Sequence, residues 1–159
     1  MPSGAFIYEI FTIHHFFYCT FEAFTQPAFN RSYDFSERAA LFGSVELSGD
    51  TVIVYGVGKA IDAPGFGILF ARLDMFGNSI DYKIYNDSLE DEPTQIYSNS
   101  FIKLSDGSGY VGVGQFFYRA NGYLIKFDND GSLVFIKEFI DSTSGVDFFY
   151  QVKELPDGF

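Results

Sequence analysis

The residues with chemical potential are few and unevenly spread. Asp128-Asn129-Asp130-Gly131 sets oxygen-bearing side chains ahead of a glycine, as the opening of a calcium loop does. No glutamate follows at the spacing an EF-hand loop requires. An earlier stretch, Asp74-Met75-Phe76-Gly77, aligns with this turn and lacks the intervening ligands. The shared frame is one aspartate and one glycine, which suits a hairpin turn: the carboxylate accepts local backbone N–H groups and the glycine takes φ > 0. Asp74, Gly77, Asp128 and Gly131, with Asp106 and Gly107 in a further turn, are therefore expected to be structural. Asp128 and Asp130 stay as the calcium candidates, with no other cofactor expected.

Other chemistries find little to work with. His14, His15 and Cys19, the only histidines and cysteine, all lie near the N-terminus. If that segment is removed, His-assisted serine or cysteine nucleophiles and the usual zinc sites are excluded. Glu90-Asp91-Glu92, with Asp87 nearby, could hold a cation or supply a glycosidase carboxylate pair, which needs about 5 to 10 Å across a sugar. Neighbours in one polar linker read better as a solvated loop. Phe116-Phe117-Tyr118 and Phe148-Phe149-Tyr150 could stack on sugars, but in a chain that is 20% aromatic such residues are more often core or interface. Gly56-Val57-Gly58 and Gly112-Val113-Gly114 end strands with no helix behind them, so they cradle no phosphate. No catalytic residue is expected.

Two copies of one pattern must position these turns. Gly67 to Asp87 and Asn121 to Asp141 each read as two apolar strands around an Asp…Gly turn, about 54 residues apart. Ahead of the first copy, Ser44–Leu47 and Thr51–Gly56 flank a Ser-Gly-Asp turn; ahead of the second, Ser100–Leu104 and Tyr110–Gly114 flank Asp106-Gly107-Ser108-Gly109. Each cycle thus holds four short strands, the content of one propeller blade. Val152–Leu155, followed by Pro156-Asp157-Gly158, resembles the opening of a third. Alternation puts Tyr123, Ile125 and Phe127 on one face, matching Leu69, Ala71 and Leu73 as the inward class. Phe70, Arg72 and Asp74 fall on the other face, and the basic Arg72/Lys126 position marks a blade rim.

The expected fold is all-β: antiparallel four-stranded blade repeats of a β-propeller, two blades and the start of a third. The expected divisions are a signal-peptide-like segment at 1–26, blades at 27–86 and 87–146, and a truncated third from 147 to 159. A propeller needs about 4 to 8 blades to close. The chain is thus a fragment of a longer protein, or its blades assemble between chains, or the hairpins form a smaller sandwich. The run from Ile10 to Phe21 is too short to span a bilayer and suits a secretory signal, or else a buried strand or helix. The net charge of −11 would repel phosphate backbones and anionic lipid, so no nucleic-acid partner is expected.

The string LIKFDNDGSLVFIKEF together with IKLSDGSGYVGVG resembles the repeats of large bacterial secreted β-propeller proteins, which commonly carry a C-terminal type IX secretion sorting domain. The resemblance covers Phe29 to Phe159. The family's tryptophan in the fourth strand is missing here, as is the sorting domain itself. The resemblance implies a secreted or cell-surface, non-catalytic module that binds or scaffolds, with a protein or glycan, or further blades, as partner. The alternative is part of a propeller-type hydrolase for polysaccharide or peptide, with its catalytic residues outside this chain.

Overall fold

The computed structural model of the chain describes residues 33, 39–60, 62–86, 93–118, 120–140 and 147–156. The N-terminal apolar run with His14, His15 and Cys19, the acidic link from Asp87 to Glu92, and Asp157-Gly158 lie outside the described residues. Among the described residues there are nine strands and no helix. The described part of the chain is all-β, as expected.

β1 (Ala39–Ser48), β2 (Thr51–Lys59), β3 (Gly67–Asp74) and β4 (Ser79–Tyr85) form an antiparallel meander in sequence order. The second sheet repeats it with β5 (Pro93–Gln95), β6 (Phe101–Lys103), β7 (Tyr110–Phe116), β8 (Gly122–Phe127) and β9 (Leu133–Phe139). Both β5 and β6 pair with β7, Pro93 opposite Phe116 and Phe101 opposite Gly112, so together they are one interrupted row. Sequence reasoning missed β5. Three residues carrying a proline show no alternation to read. In the first sheet the same row is continuous but for a register shift between Phe42 and Ser44.

The repeat is reproduced down to its irregularities. The β3–β4 ladder shifts register between Arg72 and Leu73, and the β8–β9 ladder shifts at the matching Lys126 and Phe127. Gly77 N–H donates to the Asp74 carbonyl (2.9 Å) and Gly131 N–H to the Asp128 carbonyl (3.1 Å). Both glycines sit at positive φ, 77° and 78°. These are type I turns closed by a left-handed glycine, as the Asp…Gly frame required. The third opening, Val152–Leu155, forms no strand; its only ladder contact is an isolated bridge at Leu155.

The two sheets pack face to face through faces that are not equivalent. From the first sheet come Ile53, Tyr55, Ile68 and Phe70; from the second come Phe101, Tyr110, Tyr123, Ile125 and Phe127. Leu69, Ala71 and Leu73, the repeat counterparts of Tyr123, Ile125 and Phe127, point the other way and form a separate cluster with Val54. The expected inward class is buried in both copies, but Phe70, assigned to the outward class, is only 1% exposed in the shared core. Strand alternation separates two faces and does not say whether the second is covered. The first sheet is buried on both.

Aromatic rings fill the shared core. Phe101 stacks between Tyr55 (4.9 Å) and Tyr110 (5.4 Å), and Phe70 meets Tyr110 and Phe127 at 5.7 and 5.1 Å. A Cβ on Gly131 would lie 2.3 Å from the Phe70 ring, so that turn glycine serves both its φ and its neighbour. A Cβ on Gly112 would meet the Tyr55 ring at 2.7 Å. Removing a buried phenylalanine ring costs about 3 to 5 kcal/mol, whereas exposed sites usually change stability by less than about 0.5 kcal/mol. Phe70→Ala should therefore lower the urea midpoint sharply while Phe76→Ala, at a side chain 64% exposed, leaves it in place. Equal effects would contradict the packing described.

Candidate functional site

The first rows of the two sheets and a strandless stretch near the C-terminus converge on one open groove. β1 contributes Ser44 and Glu46, β6 contributes Phe101 and Lys103, and the stretch Gln151 to Glu154 forms the opposite wall of a space of about 510 Å3. The third wall is held without a ladder: Ser105 donates its N–H (2.8 Å) and its hydroxyl (2.9 Å) to the Glu154 carboxylate, and Val152 N–H donates to the Asn99 carbonyl (3.4 Å). Asn99 itself stands at φ 65°, an uncommon conformation for a residue with a side chain. Glu46, Lys103, Lys153 and Glu154 give the groove charges of both signs. Such a surface offers hydrogen bonds and ion pairs to an extended polar ligand.

A second space of about 390 Å3 opens where the turns of the two sheets meet, between Ser48, Thr51, Arg72, Lys103, Tyr110 and Asn129. Lys103 Nζ donates to Ser48 Oγ across the sheets (2.8 Å). The Arg72 guanidinium is gripped by the Asp81 carboxylate opposite it on β4, Nε donating at 2.7 Å and Nη2 closing the pair. The hydrogen bond from Arg72 holds the Asp81 carboxyl below its ordinary range, and the same bond raises the Arg72 pKa. The repeat position Lys126 instead donates to Ser108 Oγ (3.1 Å). Both basic residues thus sit on strand faces near the turns, Arg72 at the edge of the second space.

The calcium candidates are engaged by their own turn. Asp128 Oδ1 accepts the N–H groups of Asp130 (3.2 Å) and Ser132 (2.7 Å); in the first copy Asp74 Oδ1 accepts those of Phe76 (2.9 Å) and Asn78 (2.7 Å). Asp130 reaches across the seam to Lys83, whose Nζ also donates to the Asp130 carbonyl and to Ser132 Oγ. Hydrogen bonds from within the turn, with a further one from Lys83, hold the Asp130 carboxyl well below its usual range. Asp106 Oδ1 accepts the Ser108 N–H (2.7 Å) in the same style, with Gly107 at φ 73°. Among the described residues no three His, Cys, Asp or Glu side chains gather to hold a metal.

Sequence reasoning found the turn residues and missed what crosses the seam. Lys83 and Tyr85 were unmarked, yet Tyr85 donates its hydroxyl to the Gly131 carbonyl (2.5 Å). A period-two reading of Asp81, Lys83 and Tyr85 as one face would have drawn attention to them. Tyr55 and Tyr123 meet hydroxyl to hydroxyl at 3.2 Å inside the core, and burial pushes both phenols up, so both stay protonated at ordinary pH. Of the aromatic runs, Phe116 is core, whereas Phe117, Tyr118, Phe148 and Tyr150 are exposed.

No protein-family model matches the chain, and no curated protein matches it. Among the described residues no helix is long and apolar enough to cross a membrane.

A carboxyl whose pKa is lowered in the fold contributes stability above its unfolded value, near 3.9, and loses it as pH falls through the folded value. Wild type should therefore exceed Asp81→Asn by roughly 0.2 to 1 kcal/mol at pH 7, as for an exposed pair. The gap should close below about pH 4. Urea denaturation at both pH values checks this; a gap independent of pH would contradict the role given to Arg72.

Proposed function

We propose that the chain is a non-catalytic, extracellular propeller-repeat module whose task is binding or scaffolding, with a protein or glycan ligand taken in the first-row groove. The observation that carries this reading is the groove itself: three successive cycles bring their opening residues together around it, lined by Glu46, Lys103, Lys153 and Glu154. Rows from separate cycles converge in this way when blades radiate from a common centre. Further blades of the same or a longer chain are its natural neighbours, because the stacking of unlike faces leaves a face at each end for another unit. Secretion rests on the resemblance of the repeat strings and on the signal-like run from Ile10 to Phe21.

Glycan and peptide arrays probed with the full chain test the reading. Retained ligands should bind roughly tenfold or more weakly to a Lys103→Ala, Lys153→Ala double variant, since losing a charged hydrogen-bond partner costs about 1.5 to 3 kcal/mol. Binding that ignores both substitutions, or release of hydrolysis products from the arrayed ligand, would overturn it.

Calcium is not part of the proposal, because Asp128 and Asp130 already accept turn N–H groups. Titration with calcium should produce no heat and leave the melting temperature unmoved. A saturable stabilisation lost in Asp130→Asn would reinstate the metal.

A further inference from the structure

The smaller space, of about 390 Å3, is lined by three cross-strand pairs. In the first sheet Ser48 stands opposite Thr51 across the β1–β2 turn, and Arg72 stands opposite Ile53. In the second sheet Lys103 of β6 stands opposite Tyr110 of β7. Alternation sets Thr51 and Ile53 on one face of β2, so both pairs of the first sheet meet the Lys103–Tyr110 pair across the seam. Lys103 Nζ spans that seam by donating to Ser48 Oγ (2.8 Å), and Asn129 joins from the β8–β9 turn, its Nδ2 tied to the Gly107 carbonyl (2.7 Å).

What these groups have left is mostly donors. Tyr110 is 2% exposed, its ring held by Phe101 (5.4 Å) and Phe70 (5.7 Å), and its hydroxyl has no hydrogen-bond partner among the described residues. A buried phenol ordinarily has one. Because no wholly buried side-chain oxygen among the described residues is unpaired, this hydroxyl reaches the open space that Tyr110 lines. Arg72 commits Nε and Nη2 to Asp81 and leaves Nη1 uncommitted, and Lys103 has used one of its three ammonium protons. The lining holds these two cations and no carboxylate, on a chain of net charge −11. Asp81 offsets the Arg72 charge, so one positive charge stands in excess.

We propose that this space binds the carboxylate of a small organic acid, with Lys103 as countercharge and the Tyr110 hydroxyl and Arg72 Nη1 as donors to its oxygens. One excess positive charge matches one carboxylate, whereas a phosphate dianion would bring a second charge into the recess without compensation. Ligand pockets run from about 300 to 1,000 Å3, and a space near the lower bound takes a group the size of one sugar ring or one amino acid. The Tyr110 donor is pre-set by its ring contacts, so binding need not order it. The proposal does not depend on what the first-row groove binds: Lys103 lines both spaces, but Thr51, Arg72 and Tyr110 line this one alone.

Titration of the full chain at constant ionic strength, followed by the amide proton and nitrogen shifts of Lys103 and Gly107, tests this. The probes are glucuronate and a glutamate capped at both backbone ends, with glucose and the capped glutamine as their neutral counterparts. An acid should move both amides saturably, and its neutral counterpart should not. Saturation by glucuronate alone assigns the carboxylate to an acidic sugar and by the capped glutamate alone to an acidic side chain; either result, or saturation by both, supports the site. Tyr110→Phe, which keeps the ring and its stacking, should weaken the bound acid roughly tenfold or more, the loss expected for a hydrogen bond to a charged group. Lys103→Gln, at an exposed residue that the core does not need, should weaken it by a similar factor. Affinity that ignores both substitutions, tighter binding of inorganic phosphate than of either acid, or no saturable shift with either acid would each overturn the proposal.

Discussion

The structure depends on one packing relation: Phe70 of the first sheet pressed into the aromatic pocket of the second, over the bare backbone of Gly131. Because the repeat counterparts of the pocket residues lie on the opposite side of the first sheet, the contact joins unlike faces. A contact between unlike faces propagates, leaving one face of each kind for the next unit, whereas a contact between like faces closes on itself as a two-fold pair. The seam contacts follow from it. Lys83 meets Asp130, Tyr85 meets Gly131, and Lys103 meets Ser48 because the sheets are set in this order.

The elements were largely legible because their signals are local. Alternating β-branched and aromatic runs bounded by Asp and Gly gave eight of the strands, and the Asp74/Asp128 comparison pointed to the shared Asp and Gly as the frame of hairpin turns. What could not be read was long-range. Nothing within β3 distinguishes Phe70, buried against a neighbouring sheet, from a rim residue, since that depends on chain some sixty residues away. β5 escaped because its three residues pair only in company with β7. At the site, the turn carboxylates were found, but the groove was not: Glu46, Lys103 and Glu154 come together only when β1, β6 and the strandless stretch from Gln151 to Glu154 are brought side by side.

Function follows the same division. The turns spend their carboxylates on their own backbone, the buried tyrosine pair is held neutral, and the seam lysine is tied to Asp130 and Ser132. Among the described residues the first-row groove, polar and of mixed charge, and the smaller space beside Arg72 and Asn129 stay accessible on an otherwise acidic chain. Because the stacking is set by aromatic packing, residues of the first-row surface can vary without disturbing the core.

The relation between faces can be measured directly by proton–proton NOEs in solution on a sample with labelled Phe, Tyr, Leu and Ile side chains. Phe70 should show cross-peaks to Tyr110 and Phe127, and Leu69 and Leu73 should show none to Tyr123 or Phe127. Cross-peaks between Leu73 and Phe127 would join like faces in a two-fold sandwich and contradict the account at its base.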